Sequence, residues 1–301
     1  MDAPVAFDFP PINRLHRSRI TKIHSVTHPT VRPAPIGDAA LDYCLAHHVL
    51  EGSETAARSN DSALFDWYAA NPDAGATSKL TPTIVGPRVI LSPDPADLPR
   101  SPISETPYYV LRPEAVQAPL GLRSLAVSAY SIAAGNGFAD LLAGHAVVAC
   151  LLHTKRLGDT LDSWTITRLP GTIYVDHVGD PIVLARDLIH EAGHNWLNDA
   201  LTATACKLSD AEHFYSPWKQ IDRPAFGFLH ACWAFPLTMI YTARVLARTD
   251  GDRHDYLTAY LDQQRCLLAN TAISHARALR LITHDGLRTR LHSVYLQALA
   301  L

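Results

Sequence analysis

The chain has 301 residues, of which 48% are apolar and 18% charged, the balance of an ordinary globular protein with enough length for one large core or two small ones. A net charge of −3 gives no general attraction for nucleic acid or for an anionic membrane. The five cysteines are odd in number, widely spaced and without a CxxC pair, which argues against a secreted disulfide framework. The opening MDAPVAFDFPPINR has neither the basic start nor the apolar run of a signal peptide, so the expectation is a cytoplasmic chain with reduced thiols.

In chain order, residues 1–35 are rich in proline and basic residues with little periodicity, and are expected to form an extended arm. The remainder, 36–301, is expected to be a single catalytic domain. Its mixed α/β part runs to about 178, and its helical part, with the metal site, from about 179. Helical spacing of apolar residues predicts helices from Asp38 to about Leu50 and from Glu54 to Ala70. Residues 82–91 and 107–112 read as strands or extended pieces. The Ala/Leu-rich stretch 120–152 is predicted helical, with a break at Gly135-Asn136-Gly137. The runs Trp164–Thr167 and Thr172–Val175 flank Pro170-Gly171 and predict a hairpin.

Asp180-Pro181 then opens a predicted helix over 181–203. A polar, irregular stretch over 204–224 precedes three further helices at 225–248, 254–279 and 286–300. The fold class expected is α+β, mostly α-helical in the C-terminal half, with a metal-binding helix set on a helical C-terminal bundle. The apolar stretch 225–247 is long enough to span a membrane, but it contains His230, Pro236 and Arg244 and reads better as a buried core helix.

The helix over 181–203 carries HEAGH. Residues four apart lie on one helix face, so His190 and His194 aim their imidazoles at a common point, with Glu191 beside them. A catalytic metal needs a third ligand. The metzincin extension would require glycine at 197 and a ligand at 200, where this chain has Leu197 and Ala200. Two candidates remain. Glu212 follows His194 at nearly the spacing of the thermolysin-like enzymes, but without their helix around it, and neighbouring His213 reads as a loop residue. His230 lies within the long apolar helix, where an imidazole needs partners for its ring nitrogens, and it is the favoured ligand.

Beyond HEAGH come Tyr215-Ser216-Pro217-Trp218-Lys219, then Arg223-Pro224-Ala225-Phe226-Gly227-Phe228-Leu229-His230, then Cys232-Trp233-Ala234-Phe235. In order and spacing this region resembles the HExxH-type peptide-modifying proteins of biosynthetic clusters for ribosomally made peptides, regarded as 2-oxoglutarate-dependent peptide β-hydroxylases. Some relatives carry glutamine at the place of His230 and histidine where this chain has Phe235, which leaves the third ligand open between His230 and Glu212. The resemblance implies Fe(II) held by His190, His194 and His230, with 2-oxoglutarate as cosubstrate and a precursor peptide with its leader as substrate. It also implies that Arg223 or Lys219 binds the distal carboxylate of 2-oxoglutarate, that Tyr215 and Trp218 wall its pocket, and that Glu191 orients a ligand or a water. The alternative reading is a zinc-dependent HExxH metallopeptidase, with Glu191 as base and Glu212 as third ligand. A third is a peptide-binding protein with a structural metal.

Overall fold

The computed structural model describes residues 5–29, 33–81, 86–98 and 106–301. The fold is α+β. Its sheet has the strand order β1 (Val89–Leu91), β2 (Val148–Thr154), β4 (Thr172–His177) and β3 (Ser163–Trp164). The first three strands run parallel, and β3 pairs antiparallel to β4 through Ser163 opposite Val175 and Trp164 opposite Tyr174.

Alternate residues of these strands enter two separate cores, as the pleat requires. Ile90, Ala149, Leu151, Ile173 and Val175 face a large helical core. Val89, Leu91, Val148, Cys150 and Tyr174 face a smaller one under α2 (Ala39–Arg58) and α3 (Ser62–Ala70). The strands are therefore covered on both sides, which is why they read as continuous apolar runs.

The larger core is built on α6 (Pro181–Ala203). Asp180 caps this helix by accepting from the backbone N–H groups of Ile182 and Val183, with Pro181 at the first turn, as expected. Against it pack α4 (Leu120–Ala133), α5 (Ala139–His145) and α7 (Ala225–Leu246), with Trp196 stacked on Trp233. The Trp233 indole donates to the Gly193 carbonyl at 3.0 Å. α8 (Gly251–Ala269), α9 (Ala272–Leu279) and α10 (Asp285–Leu299) complete the C-terminal bundle.

Several expectations need correction. The N-terminal stretch is not an extended arm: Pro10–Thr27 forms helix α1. Phe7, Phe9 and Ile12 enter the main core, and Phe9 lies against Trp196. Sparse periodicity hid this helix because its buried positions include His16, which reads as polar. The helical stretch predicted over 120–152 ends at His145, and its last residues form β2, since a buried apolar run carries no period to tell strand from helix. The predicted break falls in a π-helical turn over Ala134–Phe138, where Gly137 takes φ +89°. The 163–177 hairpin forms, but only Ser163 and Trp164 pair on its first arm. The stretch 204–224 is not irregular throughout: β5 (His213–Ser216) and β6 (Ile221–Pro224) form a second hairpin. The helix predicted over 254–279 is split at Asn270-Thr271. Of the predicted strand 82–91, residues 82–85 lie outside those described. No helix among the described residues is long and apolar enough to cross a membrane.

Candidate metal centre

One face of α6 lines a cavity of about 610 Å³, walled opposite by the 159–167 loop, the β5–β6 hairpin and the facing sides of α7 and α8. At a spacing of four residues, Arg186, His190, His194 and Asn198 all reach it. His190 Nε2 and His194 Nε2 stand 3.1 Å apart. His194 Nδ1 and His230 Nδ1 stand 3.0 Å apart, so the two neighbouring rings meet His194 at opposite nitrogens. Among the described residues, donor atoms of His190, Glu191 and His194 lie mutually within 4.8 Å.

The three rings are in the form that ligates metal, the neutral one. Burial lowers His190 well below the usual histidine range, and the charges of His194, Arg186 and His230 act in the same direction. Burial brings His194 down to about 4, aided by Arg223. His230 is also held well below its ordinary value, by burial and then by His194 and Arg223. One proton between each pair of facing nitrogens joins them as N–H···N, and a cation would take up the same lone pairs in place of those protons. His230 Nε2 has no hydrogen-bond partner. These observations fit a metal ion.

Glu191 is buried and accepts a 2.6 Å hydrogen bond from the Ser163 hydroxyl of β3, while its other carboxylate oxygen has no partner. Burial pushes the carboxyl up to about 8 against the pull of that hydrogen bond. Consecutive helical residues diverge by roughly 100°, which turns Glu191 from the histidine stripe toward the sheet.

Of the residues expected around 2-oxoglutarate, Arg223 and Lys219 line the cavity. A Cβ on Gly227 would lie 2.8–3.0 Å from the Arg223 guanidinium atoms, so glycine at this point of α7 is what lets the guanidinium lie flat on the helix. Trp218 does not border the cavity. It stacks behind Phe235, with ring centroids 4.8 Å apart, and Phe235 itself touches both the cavity and His190. With Trp218, three expectations are corrected. Tyr215 is exposed outside the cavity, because alternation along β5 turns Phe214 and Ser216 inward and their neighbour out. Glu212 and His213 are likewise exposed and border nothing in the site; Glu212 meets α7 only through its carbonyl, which accepts from the Ala225 N–H.

The sequence reading missed Arg186, Asp187, Ser163, Tyr256 and Tyr260, all of which line the cavity. Arg186 was detectable, since it lies four residues before His190 on the same stripe. Ser163 comes from a distant loop and carried no signal. No protein-family model matches the chain, and no curated protein matches it.

Proposed function

We propose that this chain is an Fe(II)- and 2-oxoglutarate-dependent oxygenase that hydroxylates the β-carbon of a residue in a ribosomally made precursor peptide. The observation that carries the reading is one cavity that joins three facing neutral imidazoles to two guanidinium groups, Arg186 and Arg223. Imidazoles accept ferrous iron, and a dicarboxylate cosubstrate calls for a guanidinium that can take a carboxylate in two parallel hydrogen bonds. The motif likeness in Tyr215–Phe235 points the same way.

His190 and His194 would hold the ion through Nε2, and His230, which meets His194 at its other nitrogen, would join them by a turn of its ring. When bound, the ion supplies dioxygen activation coupled to decarboxylation of 2-oxoglutarate, so that one oxygen atom enters the peptide and the other enters succinate. Glu191, fixed by Ser163, orients a group beside the ligands. Phe226, tilted against the His230 ring at 4.3 Å, and Phe235 beside His190 give that side of the cavity an apolar wall.

A zinc peptidase is the second reading, favoured by the presence of the Glu191 carboxylate in the cavity beside His190. It lacks its expected third ligand, since Glu212 is on the surface.

The test supplies purified protein with Fe(II), ascorbate, oxygen and 2-oxoglutarate. Slow succinate formation is expected without peptide, and in the presence of a cognate peptide one added oxygen atom. Glu191→Gln keeps part of the activity, whereas His190→Ala and His194→Ala lose it. Peptide fragments formed with zinc and without 2-oxoglutarate would establish the peptidase instead.

A further inference from the structure

Two guanidinium groups flank the histidines, and they are not equivalent. Arg223 and Lys219 sit toward the hairpin, where Lys219 is exposed and Phe226 is 41% exposed. Arg186 lies at the deep end, 5% exposed, beside fully buried Thr238. Its side chain is fixed from three directions. Nε donates to Asp187 Oδ1 at 2.8 Å, Nη2 lies 2.7 Å from the same oxygen in an ion pair, and Nη1 donates to the Tyr256 hydroxyl at 2.9 Å. The Tyr256 and Tyr260 rings cover the guanidinium at 5.4 and 4.6 Å from their centroids.

Two of the five guanidinium hydrogens are donated in this way, and the others remain. The Tyr256 hydroxyl accepts from Arg186 and so has its own hydrogen to give. The Tyr260 hydroxyl is engaged by Thr238, 2.7 Å away. The deep end of the cavity thus offers held guanidinium and hydroxyl donors to an anion, beside the Asp187 carboxyl, whose second oxygen has no hydrogen-bond partner.

Resting on the oxygenase reading above, we propose that Arg186 and Tyr256, and not Arg223 or Lys219, bind the distal carboxylate of 2-oxoglutarate. Two arguments select this end. Arg186 precedes His190 by four residues, about 6 Å along the helix axis, and the carbon chain from keto group to distal carboxylate is of similar reach, on the order of 5 Å. A peptide must also continue in both directions from the residue being modified, so it requires the open side of the cavity. Only a small molecule that terminates can fill the buried end. The hairpin cations Arg223 and Lys219 are then left to face the peptide.

The test measures binding and needs no turnover. Protein loaded with zinc is titrated calorimetrically with 2-oxoglutarate and with 2-oxobutyrate, which lacks the distal carboxylate. Wild-type protein should prefer 2-oxoglutarate by about 10–100-fold, the worth of hydrogen bonds to a charged group. Arg186→Gln combined with Asp187→Asn removes both charges of the buried pair, so that neither is stranded, and should abolish the preference while 2-oxobutyrate still binds. Tyr256→Phe should reduce it in part, and Arg223→Gln should leave it intact. Loss of the preference in Arg223→Gln with retention in the double variant would overturn this assignment and leave the oxygenase reading standing. A wild-type protein with no preference between the two keto acids would overturn both.

Discussion

His190 and Asp199 stand on different faces of α6 and serve different ends. Asp199 is buried and accepts from the Tyr43 hydroxyl at 3.1 Å and faces His16 Nε2 at 2.8 Å. Burial opposes its charge, but the hydrogen bond and charge of His16 outweigh it and hold the carboxyl below its usual range. Asn195, one turn earlier, donates to the carbonyls of His145 and Thr172. These bonds tie α6 to α1, α2, α5 and β4, and fix the helix that presents the ligands. Asp199→Ala strands Tyr43 and His16, and is expected to cost about 3 kcal/mol in a urea titration, with no loss of metal by the folded protein. His194→Ala removes the central ring and should leave chains without metal, as counted by elemental mass spectrometry; His230→Ala should retain a fraction. Full occupancy in His230→Ala would remove His230 from the ligand set and turn attention to Glu191.

Between elements, α3 packs closely on α2 at Gly52. A Cβ on Gly52 would stand 2.0 Å from the Tyr68 ring, whose hydroxyl is in turn fixed by a 2.7 Å hydrogen bond to the Leu111 carbonyl. The ring is held at both ends and cannot swing aside. Gly52→Ala gains helix propensity of about 1 kcal/mol, but the overpacking should outweigh it, at about 3 kcal/mol or more. A melting temperature equal to that of the native chain would show that α3 yields instead. The site lies against the other face of the sheet, so the folded fraction of this variant should still bind metal.

Across the whole molecule, several histidines are buried away from the candidate metal centre. Burial lowers His48 and His275 to about 3, and His47 and His145 to about 4. In the unfolded chain each titrates near 6.5. Above that value they have no effect on stability. Between about 6.5 and 4 the unfolded chain takes up protons that the native state refuses, so stability falls as pH falls, by about 1.4 kcal/mol per pH unit for each group. Protein freed of metal should therefore be several kcal/mol less stable at pH 5 than at pH 7.5. Urea midpoints that stay level over that range would contradict the burial of these rings.

The HEAGH helix, its Asp180 cap and the pairing of His190 with His194 were written locally, because helix periodicity and capping act over a few residues. So was the reading of 225–247 as a core helix, since His230, Pro236 and Arg244 lie within the run itself. The helical N-terminus and the strand over 148–154 were not legible. Each is set by what it packs against: Phe7 and Phe9 by α6 and its neighbours, and Val148–Leu152 by strands β1 and β4. Spacing placed Glu212 near a ligand position, and only the fold showed it exposed just ahead of β5, with alternation along β5 turning Tyr215 outward as well. The deep arginine with its two tyrosines, and the serine that holds Glu191, come from segments tens of residues apart. No local rule joins such segments, and it is burial of the common core that brings them to one cavity.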